Sequence, residues 1–118
     1  MKKIYHLSTC DTCNRIIRTL NLPEGFSYQD IKKDELTVKE LEALRELAGS
    51  YESLFSKRAK LYKERNLKNE DLKERDFKQL LLEHYTFLKR PVIVNGNEIF
   101  IGNSPKTVEA AKRSIENS

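Results

Sequence analysis

Long apolar runs are missing from this sequence of 118 residues. A helix that crosses a bilayer needs roughly 18 or more consecutive apolar residues, and no stretch here approaches that length. The mean hydropathy is −0.67. The amino-terminal MKKIYHLSTC has two lysines but only a short, interrupted apolar run, which is too little for a secretory signal peptide. We therefore expect a cytoplasmic protein.

Internal repeats, low-complexity segments and linkers are also absent. A chain of 13.8 kDa is large enough to bury one core and too small for two ordinary domains. We expect a single domain over residues 1–118, with a helical insertion at approximately 50–85.

Cysteine is scarce, because the sequence has only two, Cys10 and Cys13, in one C-x-x-C motif. Cytosolic glutathione and thioredoxin keep thiols reduced, so a close pair is better explained as a redox or metal site than as a structural disulfide. Structural zinc usually has two paired ligand clusters. A zinc site would have to combine the two cysteines with His6 and His84, and we favour the redox explanation.

The charge is basic but balanced, with 22 Lys and Arg against 18 Asp and Glu, a net charge of +4. Such a balance suits an anionic small molecule. Most of the excess lies in Ser56–Lys68, and acidic residues just downstream favour an ordinary solvated helix face. Beyond Tyr62 the segment has no aromatic pattern for base stacking, so we expect no direct binding of nucleic acid.

Apolar periodicity predicts alternating strands and helices in the first half of the chain. Lys3–Leu7 and Phe26–Asp30 are candidate strands, and a helical apolar stripe begins between them at Cys13. Thr37 and Glu40 have the spacing of a capping box before another apolar stripe, which predicts a second helix.

The second half predicts a helical segment, a hairpin and a last helix. Residues 50–85 are charged with a helical pattern, in which His84 is one member of an apolar stripe. Asn95-Gly96 lies between two apolar runs and favours a tight hairpin. Ser104, followed by proline, has the position of an N-cap.

This order of elements predicts the fold class. Strand, helix, strand, helix, helical insertion, hairpin and helix is the order of an α/β thioredoxin-like (glutaredoxin-like) fold with a mixed four-stranded sheet and an inserted helical subdomain. The first two strands, joined through a helix, should be parallel, and the hairpin should add antiparallel strands.

The C-x-x-C motif lies at the predicted junction of a strand and a helix. Cys10 would precede the helix N-terminus, where backbone N–H groups and the helix dipole lower the pKa of a thiol. Cys13, one turn into the helix, could close a disulfide with Cys10. His6 would lower the Cys10 pKa further if it is a cation, or it is a packed, neutral histidine, and both explanations stay open.

Arg90 and Pro91 precede the predicted third strand. A cis proline here would pack against the thiol loop, although a trans proline at a strand edge fits the sequence equally well. Arg90 would then project toward Cys10, where its charge could hold an oxyanion or stabilise the thiolate.

The segments IYH, SKRAKLYKE, FLKRPVIVNG and IFIG, with the spacing from His6 to Cys10, resemble the glutaredoxin-type arsenate reductase family. That family also contains the Spx transcription regulators and other related members. The resemblance covers essentially the whole chain. It implies a thioredoxin-like fold with a helical insertion and a cis Pro91.

By position, the resemblance also implies roles for individual residues. Cys10 would be the nucleophile, and His6 would tune it. Arg58 and Arg90 are similar in position to two of the arginines that hold the arsenate oxyanion in the reductases.

Two functions follow from the resemblance. The first is a thiol oxidoreductase that reduces arsenate, with Cys13 as a possible resolving thiol, no bound cofactor, and glutathione with glutaredoxin or thioredoxin as electron donor. The second is an Spx-like redox-sensing regulator that binds the RNA polymerase α subunit without turnover. Two departures from the reductases bear on the choice. Ile101-Gly102-Asn103 stands where they have a third arginine, and CDTC stands where single-cysteine members have Cys-Gly-Thr-Ser.

Overall fold

The computed structural model describes all 118 residues and divides them into two compact units. The first unit comprises residues 1–34 and 90–118, and the second comprises residues 35–89. The helical insertion expected at approximately 50–85 lies inside the second unit. No helix combines the length and the apolar character that crossing a membrane requires.

The first unit is built on a mixed sheet of four strands in the order β2-β1-β3-β4. The strands are β1 (Lys2–His6), β2 (Ser27–Asp30), β3 (Val92–Asn95) and β4 (Glu98–Ile101). β1 pairs in parallel with β2 and antiparallel with β3, and β3 pairs antiparallel with β4. The predicted mixed four-stranded sheet of a thioredoxin-like fold is confirmed.

Two helices complete the first unit, α1 (Asp11–Leu20) and α5 (Pro105–Glu116). One apolar cluster joins Ile4 and Ile93 of the sheet to Ile16 and Ile115 of these helices. Burial of such side chains is the main favourable term in folding. The cluster therefore holds α1, and with it the C-x-x-C motif, against the sheet.

The second unit is helical. Its helices are α2 (Val38–Ala48), α3 (Lys60–Glu64) and α4 (Glu74–Glu83), with short 3₁₀ turns at Glu52–Leu54, Leu67–Asn69 and Tyr85–Phe87. Phe55 lies at its centre, stacked on Phe87 with ring centroids 5.2 Å apart and tilted against Phe77 at 4.9 Å. Aromatic contacts of this kind add to the free energy gained from burial.

His84 does not continue the stripe of α4, so that prediction is wrong. The helix ends at Glu83, and His84 has extended backbone angles of φ −151° and ψ 134°. Its Nδ1 accepts a hydrogen bond of 3.0 Å from the backbone N–H of Thr86. The side chain therefore caps the following 3₁₀ turn.

Acidic neighbours offset part of the charge of the basic segment Ser56–Lys68. Lys57 pairs with Glu52 at 2.7 Å, and Arg65 pairs with Glu83 at 2.6 Å. All four side chains are about half exposed to solvent. Exposed ion pairs of this kind contribute little to stability. The pairing agrees with a solvated, charge-balanced surface.

The capping box at the start of α2 stabilises the first turn of that helix. The Glu40 backbone N–H donates to Thr37 Oγ1, and the Thr37 backbone N–H donates to Glu40 Oε1, both at 3.1 Å. Thr37→Ala should lower the free energy of unfolding by about 1 kcal/mol, because one N–H of the first turn loses its acceptor. Urea denaturation followed by circular dichroism measures the loss. Lys39→Ala, an exposed position in the same turn, is the matched control, and an equal loss in both variants would contradict the capping role.

Candidate active site

The two cysteines lie where β1 passes into α1. Residues Leu7–Cys10, here called the thiol loop, connect the strand to the helix, and Cys10 is the N-cap residue of α1 with φ −94° and ψ 113°. The Cys10 backbone N–H donates to the Leu7 carbonyl at 2.9 Å, which closes the loop into a turn. Both cysteines are free thiols, Cys10 partly exposed and Cys13 fully buried.

The surroundings of Cys10 favour its thiolate. Partial burial by itself raises the pKa of the Cys10 thiol. Hydrogen bonds from the backbone N–H and the thiol of Cys13 and from the backbone N–H of Thr12, together with the charge of Arg90, outweigh burial and lower the pKa below its ordinary value. The free N–H groups of a helix N-terminus have this effect on any anion placed there. Cys10 therefore has the properties of a nucleophile.

Cys13 has the opposite properties. Burial raises the pKa of its thiol to about 11, and the neighbouring Cys10 charge adds to the rise. A buried, protonated thiol reacts slowly with reagents in solution. Cys13 is therefore a hydrogen-bond donor to Cys10 in the reduced state.

Arg90 provides a positive charge close to both thiols. Its charge lowers the pKa of Cys10 and opposes the rise in the pKa of Cys13. Its Nη1 atom is buried and has no hydrogen-bond partner in the protein. A buried guanidinium nitrogen without a partner is costly.

The peptide bond between Arg90 and Pro91 is cis. The Pro91 carbonyl accepts a hydrogen bond of 2.9 Å from the backbone N–H of Gly102, which follows β4. This bond holds the end of β4 beside the proline. Asn103, the next residue, is exposed.

His6 is a neutral histidine in these surroundings. Burial lowers its pKa, and the negative charge of Asp30 opposes the shift only in part. Its ring packs edge-on against Tyr28 with centroids 6.0 Å apart, and its Nδ1 is buried without a partner. The groups that most affect the pKa of Cys10 do not include His6. Of the two explanations left open by the sequence, this geometry favours the packed, neutral one.

Arg58 and His84 lie in the second unit. Arg58 is exposed in the turn before α3, where its backbone N–H donates to Ser56 Oγ at 3.3 Å. His84 caps a 3₁₀ turn as described above. No group of three or more His, Cys, Asp or Glu side chains is arranged to hold a metal ion.

The sequence analysis did not identify Ser8, Asn14 and Asp30, whose hydrogen bonds fix the thiol loop. The Ser8 hydroxyl donates to Asp30 Oδ2, and Asn14 Nδ2 donates to the Ser8 carbonyl at 3.0 Å. A signal for Asp30 was present in the sequence. It ends a strand predicted to run parallel to β1, and the carboxyl ends of parallel neighbours meet at one edge of the sheet.

Comparisons with known proteins identify the family and the fold of this chain. The model of the ArsC family matches residues 5–111. An arsenate reductase from Haemophilus influenzae is 29% identical over 102 residues, which cover 81% of this chain and 88% of that protein. The global transcriptional regulator Spx 2 from Bacillus anthracis is 27% identical over 105 residues, which cover 86% of this chain and 79% of the regulator. The solved structure of an arsenate reductase from Vibrio cholerae has a TM-score of 0.74 at 24% identity, covering 92% of this chain and 95% of that one, and shows the shared fold.

The unequal surroundings of the two thiols predict unequal reactivity. With Cys13 at a pKa of about 11 and Cys10 below its ordinary value of 9.0, the thiolate fractions at neutral pH differ by about a hundredfold or more. The lower nucleophilicity of a low-pKa thiolate offsets part of this, so Cys10 should alkylate roughly tenfold faster. Timed iodoacetamide labelling with peptide mass spectrometry measures both rates.

Arg90→Ala should slow the alkylation of Cys10, because the charge of Arg90 lowers the pKa of that thiol. Arg113→Ala is the matched control, since Arg113 is exposed on α5 and pairs with Glu109 at 3.3 Å. Equal labelling of Cys10 and Cys13, or no effect of Arg90→Ala, would contradict the electrostatic assignment.

Proposed function

Because this chain belongs to the ArsC family, we propose that it is a cytoplasmic thiol oxidoreductase that reduces an oxyanion such as arsenate at Cys10. One observation carries the proposal. A partly exposed thiol with a lowered pKa lies at a helix N-terminus, close to a guanidinium group with a buried, unpartnered nitrogen. A nucleophile and a site for negatively charged oxygens are the two parts that the first step requires.

In the first step, the Cys10 thiolate attacks the arsenic atom of arsenate. A sulfur–arsenic bond forms, and one oxygen leaves as water after taking up protons, while arsenic stays in the +5 state. Arg90 neutralises charge on the remaining oxygens. Arg58 has the same role by its resemblance to the family's arginines.

In the second step, another thiol attacks the sulfur of Cys10. A disulfide forms, the sulfur–arsenic bond breaks, and its electron pair stays on arsenic, which leaves as arsenite in the +3 state. The two thiols have then supplied the two electrons. Glutaredoxin with glutathione, or thioredoxin, reduces the disulfide by exchange.

Cys13 is suited to be the second thiol because its pKa depends on the state of Cys10. Part of the rise to about 11 comes from the charge of Cys10. When Cys10 is bonded to arsenic, both that charge and the hydrogen bond from the Cys13 thiol to the Cys10 thiolate are lost. With Arg90 neutralising charge on the arsenate oxygens, Cys13 then loses its proton more readily. Glutathione is the alternative second thiol.

A redox-sensing regulator is the second candidate. Similarity to Spx 2 at nearly the same identity as to the arsenate reductase favours it, as does the exposed Asn103 where the reductases have an arginine. In this alternative a disulfide between Cys10 and Cys13 changes the affinity for the RNA polymerase α subunit, and no substrate is turned over.

Thiol oxidation that depends on arsenate separates the two candidates. The enzyme should oxidise glutathione with glutaredoxin, or thioredoxin, when arsenate is added, and Cys10→Ser should abolish the reaction. If Cys13 is the second thiol, Cys13→Ser should accumulate Cys10 adducts in place of an internal disulfide, which intact-mass spectrometry detects. A pull-down of RNA polymerase is run in parallel. Capture of polymerase without turnover would contradict the enzyme and support the regulator.

Oxyanion binding tests the two arginines directly. Each charge-assisted contact is worth roughly 1.5 to 3 kcal/mol, so Arg58→Ala or Arg90→Ala should weaken arsenate or sulfate binding about tenfold or more. Arg90→Lys should recover part of the loss, because lysine keeps the charge without the bidentate fork. Calorimetric titration measures the affinities, with Arg113→Ala as control. Unchanged binding in both alanine variants would argue against an oxyanion substrate.

A further inference from the structure

Ser8 connects the thiol loop to two other elements at once. Its hydroxyl donates to Asp30 Oδ2 at the end of β2, and its carbonyl accepts from Asn14 Nδ2 on α1 at 3.0 Å. Ser8 lies two residues before the nucleophile. The loop is therefore fixed from the strand side and from the helix side.

Asp30 is held in place for this contact by its own backbone and side chain. β1 and β2 pair in parallel with His6 opposite Asp30, and the Ile31 backbone N–H donates to the His6 carbonyl at 2.9 Å. The second carboxylate oxygen of Asp30, Oδ1, accepts from the Lys32 backbone N–H at 3.1 Å. One oxygen thus serves the turn after β2, and the other serves the thiol loop.

We propose that Ser8 and Asp30 are positioning residues for the nucleophile, and that their hydrogen bond keeps Cys10 at the N-cap of α1. The inference rests on the proposed role of Cys10 as the nucleophile. Thiolate stabilisation requires the sulfur to face the N–H groups of Thr12 and Cys13. A loop free to move would lose that alignment, because charge-assisted hydrogen bonds weaken steeply with angle and distance.

The groups that most affect the pKa of Cys10 do not include Asp30, and any effect of its charge would oppose the effect of losing its hydrogen bond. A nearby negative charge raises the pKa of a thiol, so removing the carboxylate charge alone would make Cys10 more reactive. Losing the positioning contact would make Cys10 less reactive. The sign of the change therefore tells the two effects apart.

Ser8→Ala is the decisive variant, because it removes the contact while keeping both the charge of Asp30 and the bond from Asp30 to Lys32. Iodoacetamide alkylation of Cys10 near neutral pH should slow roughly threefold or more, the scale of one lost hydrogen bond. The pH profile of alkylation should shift upward. With arsenate, kcat should fall and KM change little, since Arg90 is untouched.

Three further variants complete the test. Ser8→Thr keeps a hydroxyl and should alkylate like wild type. Thr9→Ala removes an exposed hydroxyl from the same loop and should change nothing. In an Asp30→Ala background, Ser8→Ala should cause no further slowing, since two residues that act through one bond are non-additive.

The outcomes separate this inference from the proposed function. Slow alkylation of Cys10 in the wild type would contradict the proposed nucleophile. Fast alkylation in the wild type and equally fast alkylation in Ser8→Ala would overturn the positioning role alone. Slowing in Ser8→Thr as great as in Ser8→Ala, or fully additive effects of Ser8→Ala and Asp30→Ala, would also overturn it. Circular dichroism and urea denaturation of each variant distinguish a local effect from a loss of folding.

Discussion

The parallel pairing of β1 with β2 is the constraint on which the candidate site depends. Parallel neighbours place their carboxyl ends at the same edge of the sheet, so His6 and Asp30 end side by side. The chain leaves β1 through the thiol loop, Cys10 is the N-cap of α1, and the helix packs on this sheet through Ile16. The register of these two strands therefore places His6 beside Asp30, and through Asp30 it fixes Ser8 and the loop that leads to Cys10.

The pKa of each thiol in the site depends on where the cysteine lies in the fold. Cys10 and Cys13 are the same residue type three positions apart, yet the first has a lowered pKa and the second a pKa of about 11. Burial acts on both thiols in the same direction. The difference arises because Cys10 receives the N–H groups of the helix start, whereas Cys13 is fully enclosed and faces the charge of its partner. The two thiols therefore differ in pKa and in exposure although they lie three residues apart.

Reduction of an oxyanion and redox sensing need different amounts of positive charge around Cys10. A thiolate that only forms a disulfide needs a lowered pKa, whereas an oxyanion needs several donors for its oxygens. Arg90 supplies one charge to the thiols of the first unit, and the segment after β4 supplies Gly102 and Asn103, which are uncharged. Membership of the ArsC family is compatible with both uses, and affinity for an oxyanion is the property that divides them.

Most of the helices and strands, and the place of Cys10 just before a helix, could be predicted from the sequence alone. Helix and strand periodicity, the capping box at Thr37 and the position of Cys10 at a helix start depend on residues a few positions apart, so they are legible in the chain. Tertiary structure decided the rest. His6 is neutral because burial outweighs Asp30, Ser8 meets a partner 22 residues away, and His84 caps a turn because α4 ends at Glu83. These properties depend on desolvation, on hydrogen bonds between distant segments and on where a helix ends. They therefore cannot be predicted from a local pattern of residues.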